Sequence, residues 1–150
     1  MEDKQEIIRQ LRKDYSQMEL REKDAPENPI ELFNRWFTEA LKAHVNEPNA
    51  MVVSTVSADH KPAARVLLLR NYGDAGFVFY TNYNSRKGTE ISNNPFAALT
   101  FFWPELERQV RIEGSLVRQS AEESDHYFDS RPEGSKLGAW ASPQSQVIEN

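Results

Sequence analysis

The sequence contains no cysteine. Disulfides, thiolate metal sites, iron–sulfur clusters and thiol catalysis are therefore excluded for these 150 residues, and a reducing cytoplasm is the expected compartment. No apolar run approaches the length of a membrane span, and the charged first residues do not resemble a signal peptide. We expect a cytoplasmic protein that does not contact a membrane.

Positive charge is also scarce. The chain has 18 Lys and Arg against 23 Asp and Glu, a formal net charge of −5. Proteins that bind nucleic acids neutralise many phosphates with cations, so this balance argues against that class. A small group of cations can still bind one anion, because net charge does not determine the charge of a pocket.

Several motifs that carry chemistry are missing. The chain has no G-x-G-x-x-G, no Walker loop and no G-x-S-x-G. His44, His60 and His126 lie far apart, and none has a second histidine or a carboxylate at metal-ligand spacing. We interpret them as surface or helix-end residues and expect no metal site.

Two helices are predicted before residue 45. Residues 4–19 carry apolar side chains at helical spacing, and a polar linker follows. Asn28 is the expected N-cap of the second helix, with Pro29 in its first turn. That helix should bury Phe33, Trp36, Phe37, Ala40 and Leu41. We expect residues 1–27 to form an N-terminal helix and linker, and residues 28–150 to form the main domain.

The pattern changes to β-strands after residue 50. Strands are predicted at 51–57, 62–72, 77–82, 96–103 and 107–119. Short turns join most of them, which favours an antiparallel sheet or barrel over a parallel sheet. One brief helix should precede Pro95, and a capping box of Ser120 and Glu123 predicts another over 121–130.

Two arginines bracket an apolar run in the second predicted strand. Arg65 and Arg70 are five residues apart, so in an unbroken strand their side chains point to opposite faces. If both bind ligands, they should therefore serve different groups. For Arg65, an internal ion pair and a ligand contact are equally compatible with the sequence, since a charge near the core needs a partner.

Arg86 and Lys87 stand where the short helix begins, after Asn84 or Ser85 as its cap. Cations are unfavourable beside the positive end of a helix dipole, whereas free backbone N–H groups and two cations together suit a phosphate. The alternative is an ordinary solvated pair. Tyr80 and Thr81, just upstream, could add contacts to a bound anion.

A second candidate set combines one cation with two hydroxyl groups. Tyr127, Arg131 and Ser135 are spaced four residues apart and share a face if one helix continues through them. Pro132 argues against that continuity, and the alternative is a packed tyrosine with an arginine that caps its own helix. The residues alone thus predict a small β domain with two candidate anion pockets.

Three segments resemble the pyridoxine/pyridoxamine 5′-phosphate oxidase family: "RVLLLRNYGDAGFVFYTNYNSRKGTEISNNP", "FFWPELERQVRIEG" and "YFDSRPEGSKLGAWASPQS". The similarity runs from about Leu11 to residue 150. It implies a mainly β fold, the antiparallel Greek-key FMN-binding split barrel with flanking helices. It also implies a homodimer with FMN at the interface.

The resemblance implies a role for individual residues. FMN would be bound by Arg65, Tyr80, Thr81, Arg86, Lys87, Gln109, Gln144 and Ser145, with Gln109 reaching the flavin of the partner subunit. The substrate would be bound by Arg70, Tyr127, Arg131 and Ser135, and covered by a segment that contains Arg12 and Tyr15. Arg70 stands where the family usually has lysine.

The implied reaction belongs to vitamin B6 metabolism. A hydride passes from C4′ of pyridoxine or pyridoxamine 5′-phosphate to flavin N5, and O₂ reoxidises the flavin with release of hydrogen peroxide. The family's catalytic Arg and His correspond to positions beyond residue 150, so we expect no catalytic side chain here and leave open a truncated or a naturally short chain. Two alternative functions are a non-catalytic FMN or pyridoxal phosphate binding module and a flavin reductase.

Overall fold

A computed structural model describes residues 4–16, 19–120, 122, 129–130 and 132–133 of the chain. The helices are α1 (Lys4–Gln10), α2 (Pro29–Lys42) and α3 (Arg86–Asn93), with short 3₁₀ turns at Glu22–Asp24 and Pro104–Leu106. The strands are β1 (Ala50–Val56), β2 (Pro62–Leu68), β3 (Asn71–Gly73), β4 (Gly76–Val78), β5 (Phe96–Trp103) and β6 (Arg108–Ser115). The helix predicted over 121–130 lies almost wholly outside the described residues.

The chain divides into two compact units. One comprises Met1–Val45 with Trp103–Arg108, and the other comprises Asn46–Phe102 with Gln109–Asn150. This division does not test the domain boundary that we expect after residue 27, which stays a prediction. Within the described ranges, no helix has both the length and the apolar character that a membrane crossing requires.

Helix α2 organises the first unit. The Asn28 side chain accepts a hydrogen bond from the Ile30 N–H at 2.8 Å, which confirms the predicted cap. Phe33 and Ala40 are buried, and Trp36 and Phe37 are half-buried, as expected. The expectation for Leu41 is wrong, because 53% of this residue is exposed at the last turn of the helix.

Aromatic rings supply the packing around α2. Phe33 lies 5.8 Å from Phe37 and 6.1 Å from Trp103, measured between ring centroids. The Arg108 guanidinium stacks over the Trp36 ring at 4.8 Å and forms an ion pair with Glu39 at 2.5 Å. A guanidinium that has both an aromatic ring and a carboxylate as partners can be buried, which explains why Arg108 is only 8% exposed.

The helix predicted over residues 4–19 is wrong beyond Gln10. Helix α1 has seven residues, none of them buried, and residues 11–16 have no helical structure. Short helices are marginal in water unless an apolar face packs against something. Ile8, Leu11 and Tyr15 remain 68%, 75% and 74% exposed, so packing of these side chains does not stabilise a longer helix.

The second unit is built on an antiparallel sheet with the strand order β2-β1-β5-β6. Strands β1 and β2 pair along their full length, with Val53 opposite Arg65 and Thr55 opposite Ala63. A separate two-stranded ribbon joins β3 to β4. Burial alternates along β6, since Val110 and Ile112 are half-buried while Arg111 and Glu113 are exposed.

The predicted strand 62–72 is wrong as one unbroken strand. It divides at residues 69 and 70, where the chain passes from the sheet to the ribbon. The Leu69 N–H donates to the Asn49 carbonyl at 2.8 Å, and the Arg70 N–H donates to the Val78 carbonyl at 2.9 Å. Arg65 therefore lies in β2, whereas Arg70 lies in the connection after it, and strand alternation cannot relate their side chains.

The two faces of the sheet differ in burial. Met51, Val53 and Phe101 are at most 1% exposed on the core face. Val52, Val66, Phe96 and Phe102 project from the other face and are between 38% and 65% exposed. An apolar row of this kind is unusual for a surface that only contacts water.

The N-cap of α2 makes a first testable prediction. Replacement of Asn28 by alanine removes the acceptor for the Ile30 N–H and should lower the free energy of unfolding by about 1 kcal/mol. Asn28→Asp is the matched control, because it keeps an acceptor and adds a charge that the helix dipole favours. Urea denaturation measures both variants, and an equal loss in the two would contradict this role.

Candidate functional site

The start of α3 is held in place by a tight turn. Ser85 is fully buried, and its hydroxyl accepts from the Gly88 N–H at 3.3 Å and donates to the Asn82 carbonyl at 2.6 Å. The predicted cap is therefore confirmed at Ser85. A Cβ on Gly88 would lie 2.1 Å from the Tyr83 carbonyl oxygen, so only glycine allows the turn to approach the helix this closely.

Glu90, one turn into α3, lies at the centre of the site. Its side chain is 5% exposed, and both carboxylate oxygens are engaged. Oε2 accepts from the Thr55 hydroxyl at 2.5 Å and from Arg65 Nη2 at 3.1 Å, and Oε1 accepts from Arg86 Nε at 2.8 Å. Foremost the Thr55 hydroxyl, and then the two arginines, keep the pKa of Glu90 below its ordinary value of 4.5 despite burial.

Arg65 crosses from β2 to this carboxylate. Its Nη1 donates to the Val53 carbonyl at 3.2 Å and to the Thr55 hydroxyl at 2.6 Å, in addition to the bond from Nη2 to Glu90. The internal ion pair considered from the sequence is thus present. It does not exclude a ligand, because a guanidinium has five N–H donors.

The two adjacent cations of α3 have different environments. Lys87 is 6% exposed, with Nζ 3.4 Å from the Ser85 hydroxyl, so the solvated alternative is wrong for this residue. Burial lowers the pKa of Lys87, and the charge of Arg65 lowers it further. The Arg86 side chain remains 63% exposed beside its ion pair with Glu90.

The cluster of Arg65, Arg86, Lys87 and Glu90 carries three positive charges and one negative charge, a net charge of +2. A phosphate monoester carries about −1.5 to −2 at neutral pH, so the charges are complementary. An open groove lies beside the cluster, and the exposed Arg86 side chain is part of its wall. It is lined by Ser57, Ala58, Asp59, Lys61, Arg86, Thr89, Glu90 and Asn93.

Thr81 adds a second observation that suits a ligand. Its Oγ1 is buried, and no hydrogen-bond partner for it lies among the residues that the structure describes. A buried hydroxyl without a partner costs free energy, and a bound polar molecule can satisfy it. Tyr80, its neighbour, is half-buried in the same segment after β4.

The remaining predicted residues are not drawn into this cluster by any described contact. Gln109 is exposed on β6, and Arg70 is exposed between β2 and β3. Arg12 and Tyr15 are exposed in the first unit, where Lys13 pairs with Glu107 at 3.2 Å. Tyr127, Arg131, Ser135, Gln144 and Ser145 lie outside the described residues.

Two of the three histidines lie in the described part of the chain. His60 lies in the turn before β2 and His44 follows α2, both exposed as expected, while His126 is outside the described ranges. The described residues contain no group of three or more His, Cys, Asp or Glu that could bind a metal.

Sequence reasoning missed Glu90. One signal was available, since Arg86 and Glu90 are four residues apart on a helix, the spacing at which side chains of opposite charge meet. The contacts with Thr55 and Arg65 span 35 and 25 residues of sequence and depend on the packing of α3 against the sheet.

Known proteins resemble this chain over most of its length. Residues 37–150 match the family model described as pyridoxamine 5′-phosphate oxidase. Curated relatives named pyridoxine/pyridoxamine 5′-phosphate oxidase include one from Cyanothece, 56% identical over 94% of this chain and 66% of its own length. Another, from Neisseria gonorrhoeae, is 55% identical over 95% and 68%. The chain thus spans about two thirds of the length of these relatives.

Solved structures give the same picture of the fold. PhzG from Burkholderia lata, solved with tetrahydrophenazine-1-carboxylic acid, aligns with a TM-score of 0.82 and 31% identity over 85% of this chain and 63% of its own. An FMN-binding protein from Nostoc punctiforme, described as pyridoxamine 5′-phosphate oxidase-related, aligns at 0.60 and 18% identity over 74% and 63%. The predicted fold class, mainly antiparallel β with flanking helices, is confirmed.

Lys87 generates a prediction about stability. Lys87→Met removes a desolvated charge and should raise the free energy of unfolding of the protein without ligand. Because the pKa of Lys87 in the folded protein lies below its ordinary value of 10.5, the wild type should gain stability relative to the variant as the pH rises towards 10.5. Urea denaturation between pH 7 and pH 10 measures this difference.

The control for this experiment is Lys42→Met, which changes an exposed lysine in the last turn of α2. It should leave the pH dependence unaltered. A less stable Lys87→Met protein across this range would show that burial of the ammonium is not unfavourable.

Proposed function

The chain belongs to the pyridoxamine 5′-phosphate oxidase family, and on that premise we propose that it binds FMN and takes part in the oxidation of pyridoxine or pyridoxamine 5′-phosphate to pyridoxal 5′-phosphate. The observation that carries the proposal is the cluster of Arg65, Arg86 and Lys87 around Glu90. Its net positive charge occurs in a chain of net charge −5, at the positions that the family resemblance assigns to the FMN phosphate.

In this proposal the cluster anchors the phosphate of FMN. Arg86 is accessible from solvent, and the negative charge of a bound phosphate would offset the desolvation of the Lys87 ammonium. The Thr81 hydroxyl gains the partner that it lacks among the described residues. Tyr80 lines the same site, as do Gln144, Ser145 and Gln109, the last from a second copy of the chain.

A second set of residues is proposed for the substrate phosphate. Arg70, Tyr127, Arg131 and Ser135 would bind it, and the segment with Arg12 and Tyr15 would cover it. The break between β2 and β3 supports separate roles for Arg65 and Arg70, because Arg65 lies in the four-stranded sheet and Arg70 lies outside it, bonded to Val78 of the ribbon. The family usually has lysine at the position of Arg70. The guanidinium group of arginine is planar, so Arg70 can bind a phosphate through two parallel hydrogen bonds.

The chemistry then needs no nucleophilic side chain. FMN, when bound, supplies a two-electron acceptor that O₂ can reoxidise with release of hydrogen peroxide. The protein's own residues anchor the two phosphates, which aligns the reacting rings and lowers the entropic part of the barrier. A reaction in which the flavin accepts the electrons and the side chains only bind the ligands agrees with the lack of any nucleophile or metal motif in the sequence.

The exposed face of the sheet supports a homodimer. Val52 and Val66 are directly paired across β1 and β2, and Thr100 on β5 faces Val52 from the other side. Phe102 lies two residues further along β5 on the same face, with 60% of its surface exposed. Burial of this row against a second copy would remove apolar surface from water and could bring Gln109 to the partner's flavin.

FMN binding is tested with Arg86→Ala. Loss of a charge-assisted contact to phosphate should weaken FMN affinity about tenfold or more. Arg111→Ala is the matched control, because Arg111 also forms an ion pair, with Glu113, but on the exposed face of β6. Quenching of flavin fluorescence measures both, and equal affinities for Arg86→Ala and the wild type would contradict the proposed phosphate site.

Activity is tested by release of hydrogen peroxide with pyridoxamine 5′-phosphate. Turnover by the wild type supports the oxidase. Bound flavin that the substrate does not bleach under anaerobic conditions favours the binding module instead, and oxidation of NAD(P)H favours a flavin reductase. A colourless protein that takes up no added FMN would contradict the oxidase, the flavin reductase and an FMN-binding module for this chain.

The dimer is tested with Val66→Lys, which places a charge in the middle of the exposed apolar row. The variant should be monomeric where the wild type is dimeric, because an unpaired lysine in an interface is strongly unfavourable. Val117→Lys is the control, since Val117 is 88% exposed outside any strand. Light scattering after size exclusion gives both masses, and a wild-type monomer would contradict the proposed interface.

A further inference from the structure

Glu90 presents a problem that the proposed function does not resolve. A carboxylate repels phosphate, yet this one lies within the set of cations proposed to hold it. We propose that Glu90 is a positioning residue for the phosphate site, acting through Arg65 and Arg86, an inference that rests on the proposed binding of FMN. Glu90 itself would not touch the ligand.

The hydrogen bonds of Glu90 orient both guanidinium groups. Among the described residues, Arg65 uses three of its five N–H bonds, on Val53, Thr55 and Glu90. Arg86 uses one, its Nε–H, on Glu90. Two N–H bonds of Arg65 and four of Arg86 therefore remain for a phosphate, with the planes of both groups already set.

Glu90 is held in a way that an incoming anion would not reverse. Its Oε2 accepts from the Thr55 hydroxyl, and Thr55 is completely buried on β1. Its backbone belongs to α3, whose first turn is held by the hydrogen bonds of Ser85 to Asn82 and Gly88. The carboxylate of Glu90 thus stays in place when a ligand binds. It continues to orient the two arginines and is not displaced from them by the phosphate.

Removal of the carboxylate would also change the balance among the cations. Arg65 already lowers the pKa of Lys87, and Glu90 partly neutralises the charge of Arg65. Without that negative charge the three cations would repel one another more strongly, and the exposed Arg86 side chain would be free to turn into solvent. Preorganisation of the donors would be lost, which outweighs the gain from removing one repulsive charge.

The experiment compares Glu90→Gln with Glu113→Gln, which removes a carboxylate from an exposed ion pair with Arg111. Dissociation constants are measured for FMN, riboflavin and inorganic phosphate. Glu90→Gln should weaken FMN about tenfold, the effect of one charge-assisted contact, and should weaken inorganic phosphate in parallel. Riboflavin, which has no phosphate, should bind as it does to the wild type, and Glu113→Gln should change none of the three.

Thr55→Val is a second variant that keeps all charges. It removes the hydroxyl that orients both Glu90 and Arg65, so a positioning role predicts a loss of FMN affinity of about threefold or more. If Glu90→Gln does not fold, as judged by circular dichroism, this variant alone decides, and unchanged FMN affinity in it overturns the inference.

The outcomes separate this inference from the proposed function. Equal or tighter FMN binding by Glu90→Gln overturns the positioning role, and so does an equal loss of FMN and riboflavin, which would indicate general damage to the fold. A wild type that binds phosphate but not FMN contradicts the proposed function. Weaker phosphate binding by Glu90→Gln would then still support the role of Glu90, and a wild type that binds neither ligand contradicts both.

Discussion

The candidate site depends on one buried carboxylate. Glu90 connects three elements, because its donors come from Thr55 on β1, Arg65 on β2 and Arg86 on its own helix α3. A carboxylate removed from water is strongly unfavourable unless its oxygens are satisfied, and here both are. The same bonds that make its burial possible attach α3 to the sheet, so the position of the cations and the packing of the helix have a common cause.

The electrostatics of the site differ from those of the whole chain. The whole chain has a formal net charge of −5, whereas the cluster around Glu90 has a net charge of +2. This local excess of positive charge is unfavourable for Lys87, because burial and the charge of Arg65 both destabilise its protonated form. A fold that buries such a lysine gives up stability at that position. Perturbed pKa values of this kind cluster at functional sites.

Local signals in the sequence predicted much of this structure. The caps at Asn28 and Ser85 and strands β1 and β5 follow from residue types within a few positions, and the cations at the start of α3 were recognised as a candidate anion site. Tertiary contacts decided the rest. Helix α1 ends early because none of its residues is buried by the part of the chain that the structure describes, and Glu90 was missed because its partners lie 25 and 35 residues away.

The break between β2 and β3 shows how a sound inference can rest on a wrong premise. Five residues of unbroken strand would send Arg65 and Arg70 to opposite faces of one sheet. The chain instead leaves the sheet at Leu69, whose N–H bonds to Asn49, and Arg70 enters the ribbon through its bond to Val78. Strand alternation therefore has no bearing on the pair. The different environments of the two arginines follow from the break in the strand. They also follow from Glu90 of α3, a helix that packs against β1, because Glu90 forms an ion pair with Arg65.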